Sequence, residues 1–116
     1  MTPVERIGRP PRAEPGGSGY NRAMAIETRH EPSRNRYELY EDGQLVSIAE
    51  YQVQGDQVVF HHTETIPARQ GNGLAEQLVR VALDDQAPSG RRVVPACWFV
   101  AEFIDLNPEY RPLIER

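Results

Sequence analysis

From Ala25 to Ile66 the apolar and aromatic residues come in short runs closed by turn formers, the pattern of strands. Ala25 to His30 reads as a first strand, closed by Glu31-Pro32-Ser33-Arg34-Asn35. Arg36 to Glu41 carries Tyr37, Leu39 and Tyr40 and stops at Asp42-Gly43, a two-residue hairpin signal. Leu45 to Val53 contributes Val46, Ile48, Ala49 and Tyr51 and stops at Gly55-Asp56; Gln57 to Ile66 follows with Val58, Val59 and Phe60. Turns this tight predict an antiparallel meander of about four strands.

The period then changes. Leu74, Ala75, Leu78, Val79, Ala82 and Leu83 recur at helical spacing, and Ala87-Pro88-Ser89-Gly90 stops the helix. Arg92 to Cys97 reads as a fifth strand whose Pro95 has no N–H for a ladder, so the strand should lose its neighbour there or lie at an edge. A second helix is expected from Trp98, with Phe99, Val100, Phe103, Ile104 and Leu106, ending before Asn107-Pro108. The order is β-β-β-β-α-β-α, an α+β fold, and the right-handed crossover makes strands four and five parallel.

Composition moves the boundaries rather than the elements. Residues 1 to 23 hold prolines and glycines and few large apolar side chains, which predicts a flexible tail ahead of one domain over 24–116. The chain has 116 residues, 39% of them apolar, room for one core and no second domain. Net charge is −4, and the tail is basic, so the body is more acidic still; that argues against a nucleic-acid partner. All thirteen cationic side chains are arginine, so the only side chains of amine type are missing. A single cysteine, Cys97, excludes an internal disulfide and a cysteine-rich metal site, and no metal is expected. No apolar run is long enough for a bilayer or resembles a signal, which predicts a cytoplasmic protein without a membrane partner, a monomer or weak dimer.

Three places could carry chemistry. Arg69-Gln70-Gly71-Asn72-Gly73-Leu74-Ala75 lies between a strand and a helix, where glycines let backbone N–H groups converge on an anion beside the positive end of the helix. Arg69 is expected to add a full charge, an arrangement suited to a pyrophosphate. The segment lacks the Gly-Lys-Ser/Thr ending of a Walker A loop and is not the dinucleotide fingerprint. Cys97 closes strand five beside a helix start, where a thiol is placed to act as a nucleophile or to pack as a small hydrophobe. His62 and Glu64 are two apart on a strand and share a face, while His61 points the other way; either of the pair suits a general base, or both belong to a polar ladder.

The Arg69 to Ala75 segment resembles the Arg-Gln-x-x-Gly-x-Gly/Ala signature of the GNAT superfamily of acyl-CoA-dependent N-acetyltransferases, with Gln70, Gly71 and Gly73 standing for its Gln/Arg and later small positions. More narrowly, the chain is similar to the small stand-alone acetyltransferases of about one hundred residues. The matching stretches are His62-Thr63-Glu64-Thr65, Gln70 to Val79, Val94-Pro95-Ala96-Cys97 and Asn107-Pro108-Glu109-Tyr110. The resemblance implies a GNAT-like fold with strands four and five splayed, and acetyl-CoA in the opening. It places the cofactor, coenzyme A or its acetyl thioester, on Thr65, Ile66, Arg69, Gln70, Gly71, Asn72, Gly73, Leu74, Ala75, Asn107 and Tyr110. It makes His62 the acid/base histidine and Cys97 the second catalytic candidate. The activity implied is N-acetyl transfer to an amine acceptor, a peptide, a polyamine or a small molecule. The alternative is a non-catalytic acyl-CoA-binding or protein-interaction module that keeps the cleft. The short turn at 31 to 35 and the missing tyrosine between Trp98 and Leu106 depart from the larger enzymes, so neither the acceptor site nor the general acid is assigned.

Overall fold

The computed structural model describes residues 25–116; the tail expected over 1–23 lies outside them. Five strands form one sheet in the order β1-β2-β3-β4-β5: β1 Ile26–Glu31, β2 Arg36–Glu41, β3 Gln44–Gln54, β4 Gln57–Thr65 and β5 Arg92–Pro95. The first four are antiparallel neighbours, and β4 and β5 are parallel. Asp42 and Gly43 turn the β2–β3 hairpin with φ 50° and 85°. Positive φ at both centres gives the mirror-image turn whose twist suits paired strands, and a glycine beside an aspartate takes it at low cost.

Three helices follow: α1 Leu74–Gln86, α2 Trp98–Leu106 and α3 Arg111–Ile114. Leu74, Leu78, Val79, Ala82, Leu83 and Gln86 form the buried stripe of α1. Pro88, without an N–H, and Gly90, at φ 79°, end it. Val100, Phe103 and Ile104 are the buried side of α2. These residues, with Tyr110 and Leu113, join Tyr37, Leu39, Ala49, Tyr51, Val58 and Phe60 in one cluster, so all three helices lie on one side of the sheet. Each fully buried leucine or phenylalanine there contributes about 1.5–3 kcal/mol of apolar burial.

Two slips in register, which no periodicity announced, shape the sheet. Leu39 pairs with Ser47 and Tyr40 with Leu45, leaving Val46 without a residue opposite; Glu50 pairs with His62 and Tyr51 with Phe60, leaving His61 likewise. An inserted residue reverses the alternation of faces beyond it. Ala49, a core residue, therefore sits opposite Thr63, while Glu50 and Ile48 sit opposite His62 and Glu64 on the face away from the helices.

The parallel ladder is short. It runs from Gln57↔Arg92 to Phe60↔Pro95 and stops, two residues before the expected end of the fifth strand. At Pro95 the Ala96 N–H turns back to the Val94 carbonyl at 3.0 Å, a three-residue turn that proline's fixed φ favours. The Cys97 N–H then makes the last backbone bond to β4, to the Phe60 carbonyl at 2.9 Å. β4 continues to Thr65 with no β5 partner, so β5 loses its neighbour at Pro95 and also lies at the sheet edge, the two outcomes that Pro95 allowed. Among the described residues no helix is long and apolar enough to cross a membrane, and no group of His, Cys, Asp and Glu side chains is placed to hold a metal ion.

Candidate functional site

The opening between β4 and β5 continues into a cleft of about 440 Å³. Its walls are Thr63, Glu64 and Thr65 of β4, residues 69–71 and 73–76 of the following segment, and Trp98 and Phe99 at the start of α2; Asn72 does not line it. β4 leads into a one-turn 3-10 helix, Pro67–Arg69, and then into the glycine segment that starts α1. Gly71 and Gly73 both lie in the left-handed region, at φ 82° and 78°, and a Cβ at either would meet nothing within 4 Å. Glycine is therefore required by conformation rather than by crowding, and open space lies where a ligand would approach. Gly73 is the N-cap of α1, and no side chain caps the helix. The first-turn N–H groups are thus left for something else to accept, with the positive end of the helix dipole behind them.

Hydrogen bonds hold the segment to the sheet. Gln70 Nε2 donates to the Thr65 carbonyl at 3.0 Å, and Asn72 Nδ2 donates to the carbonyls of Arg69 and Gln70, each at 3.2 Å. Arg69 departs from expectation. Its Nε and Nη2 donate to the two carboxylate oxygens of Glu41 at 2.7 and 2.8 Å. Glu41, at the end of β2, is buried, with 6% of its side chain exposed against 32% for Arg69. The carboxylate beside it raises the Arg69 pKa further above its ordinary value. The charge expected to face an anion is already matched by a sheet carboxylate, and the cleft wall is electrically quieter than the sequence suggested.

His62 and Cys97 are both near the opening, but they are not brought together. His62 Nε2 lies 3.1 Å from Glu64 Oε1 on the helix-free face. Cys97 Sγ faces Thr63 Oγ1 at 3.7 Å on the other face, half-buried against the core. Of the histidine–carboxylate pair it is Glu64 that lines the cleft. Thr65 lines it too, its hydroxyl 2.9 Å from Ser47 Oγ, whereas Ile66 turns its N–H to the Val46 carbonyl and packs against the core.

Asn107 and Tyr110 do not line the cleft; both are bonded to α1, at Arg80 and Asp84. Tyr110 is buried, donates to Asp84 Oδ1 at 2.8 Å and takes a long bond from Arg80 Nη1 at 3.4 Å; burial, then the Asp84 hydrogen bond, raises its pKa. Asn107 accepts from Arg80 Nη2 at 3.0 Å and donates to the Phe103 carbonyl. Asn107 does edge a smaller hollow of about 120 Å³ that shares Glu76 and Phe99 with the cleft. Sequence reasoning did not assign cleft roles to Thr63, Glu76, Trp98 or Phe99. Trp98 lines the cleft at the first turn of α2 and is 73% exposed, an exposure that its type and position in the sequence do not disclose.

The family model described as "GCN5-related N-acetyl-transferase" matches residues 36–113. Protein NATD1 of Bos taurus is 28% identical over 101 residues, covering 85% of this chain and 88% of its own length. Protein NATD1 of Mus musculus is 28% identical over 85 residues, 72% of this chain and 77% of its own. Among solved structures, the ribosomal-protein-S18-alanine N-acetyltransferase from Escherichia coli aligns with a TM-score of 0.48 at 22% identity, over 50% of this chain and 38% of that one.

Proposed function

Because the chain belongs to the GCN5-related N-acetyl-transferase family, we propose that the β4–β5 cleft holds acetyl-CoA and that the protein transfers its acetyl group to an amine. One observation carries the reading: β4 runs on past its last β5 partner and, after the Pro67–Arg69 turn, leads to an uncapped helix N-terminus opened by two left-handed glycines. A free strand edge suits a chain of amides such as pantetheine, and convergent N–H groups suit a pyrophosphate. The residues present therefore fit the group. Thr63 to Thr65 would hold the pantetheine, and Gln70 to Ala75 would hold the phosphates.

The bound thioester supplies an activated acyl carbon. The chain must supply an orienting surface and a place for the proton that the amine loses. Glu64 reaches the cleft, and His62 lies against it, so the pair can take that proton and share it across their 3.1 Å contact. Cys97 sits behind the wall against Thr63, out of contact with His62, which favours direct transfer to the amine over a route through an acetylated thiol. Tyr110 is engaged by Asp84 and Arg80 and is not offered to the cleft as an acid.

The test is incubation with acetyl-CoA, alone and with pooled amines, following free thiol. Amine-dependent thiol release that drops about a hundredfold or more in Glu64→Gln is the expected result. Binding of acetyl-CoA with no turnover on any amine would leave a non-catalytic acyl-CoA-binding module instead.

A further inference from the structure

We propose that Glu41 is a positioning residue for the phosphate end of the cleft: it holds Arg69, and through Arg69 the turn from Gln70 to Gly73, in register with the sheet. The inference rests on the acyl-CoA reading and deepens it. It takes Arg69 off the anion and gives a β2 carboxylate a role in binding.

Arg69 is the hub of the segment. Its N–H donates to the Ile66 carbonyl at 3.0 Å, its carbonyl accepts from Asn72 Nδ2, and its guanidinium is forked onto both oxygens of Glu41. A two-point fork fixes the orientation of the group as well as its distance, which a single contact does not. Glu41 is itself rigidly placed, paired with Ile26 of β1 on one side and Gln44 of β3 on the other, at the foot of the hairpin. The anchor therefore joins the end of β2 to the backbone whose next residues are Gln70, extended, and the left-handed Gly71. Two glycines in a four-residue run make that backbone loose unless something outside it sets its position. The pair is close to neutral as a unit, so attraction for phosphate is left to the N–H groups of the turn and to α1. Misplacing those groups by an ångström costs one to two orders of magnitude in a site that works by alignment.

The test compares two probes, coenzyme A and S-acetyl-pantetheine, by calorimetric titration of the full chain. The second probe lacks the phosphates and would lie on β4 alone. The variants are Glu41→Gln, Arg69→Gln and the double substitution. Each single variant should weaken coenzyme A by about tenfold or more, the double by no more than the worse single, and S-acetyl-pantetheine should bind all four proteins alike. Unchanged S-acetyl-pantetheine affinity also certifies that the variants are folded. If Arg69→Gln weakens coenzyme A while Glu41→Gln leaves it unchanged or tightens it, Arg69 touches phosphate directly and the proposal is overturned. Equal loss of both probes in Glu41→Gln also overturns it, since the effect is then on the fold. Failure of the unaltered protein to bind either probe defeats the acyl-CoA reading itself, before any variant is made.

Discussion

The two ends of β4 stand in opposite states. At its start, Val58 and Phe60 are buried in the core with Tyr37 and Tyr51, and the neighbouring polar groups are matched. Tyr37 donates to Asp85 at 2.6 Å and accepts from Gln86 at 2.9 Å, while His30 stacks on the Tyr37 ring and lies 2.6 Å from the Tyr51 hydroxyl. At its far end, from Thr63 to Thr65, one edge faces a cleft, the helix that follows has no cap, and the glycines beyond face open space. The same strand is laddered on both edges at one end, to β3 and β5, and at the other to β3 alone, with its second edge left toward the cleft. Stability and binding should therefore be separable by substitution.

The harshest test of that separation is Leu83→Ala. Leu83, on the core side of α1, is fully buried, and truncation should cost about 2–5 kcal/mol in denaturant unfolding. Coenzyme A affinity of the folded fraction should not change. A parallel loss of affinity would mean the two ends are one cooperative unit.

Tyr37→Phe is next, at about 1–3 kcal/mol near neutral pH, since Asp85 and Gln86 both lose a partner. It also has a pH signature. Burial, then the hydrogen bond to Asp85, pushes the Tyr37 phenol well above its ordinary value. A group whose folded pKa is raised favours the fold below its unfolded pKa, here about 10, and that contribution disappears as pH climbs through the folded value. Stability of the unaltered protein should therefore fall above about pH 10, and the fall should be shallower in Tyr37→Phe. Identical slopes would remove the closed end's phenol from the account.

Gly73→Val acts at the open end. The left-handed φ of 78° should make it cost about 1–2 kcal/mol, and its branched side chain would stand where the anion approaches. The rise in melting temperature on adding coenzyme A should vanish. A rise equal to that of the unaltered protein would put the phosphates elsewhere.

The smallest effect belongs to Cys97→Ser. It should cost about 0.5–1 kcal/mol, with only a modest loss of acetyl transfer. Intact-protein mass spectra taken with acetyl-CoA and no acceptor should show no stoichiometric acetyl group on Cys97. The absence of lysine makes that spectrum simple to read. Fast, full acetylation of the thiol would replace direct transfer by a relay.

Strand order, the parallel β4–β5 pair and both principal helices were legible because each rests on short-range patterns: a turn at Asp42-Gly43, a change of period after Gly73, a ring at Pro95. The site was less so, for physical reasons. Arg69 has the chemistry of a phosphate ligand, and nothing within its own segment discloses that a carboxylate 28 positions earlier takes it. His62 and Glu64 share a face, as two-residue spacing requires, yet which face is set by the extra residue at His61, and a slip of one leaves no mark in composition. Asn107 and Tyr110 follow a helix whose end was foreseen, but their side chains turn toward Arg80 and Asp84 of α1, a long-range choice. Thr63 went unassigned because a threonine in a strand ordinarily signifies nothing beyond the strand.

The turn at Pro95 has a kinetic consequence. The ladder there ends by covalent geometry, through a ring that fixes φ and an Ala96 N–H already satisfied by Val94. The two strands need not be prised apart on binding, so no opening step stands ahead of encounter. Coenzyme A association followed in a stopped-flow mixer should then be a single phase whose rate rises linearly with concentration, without the plateau that a slow conformational gate imposes.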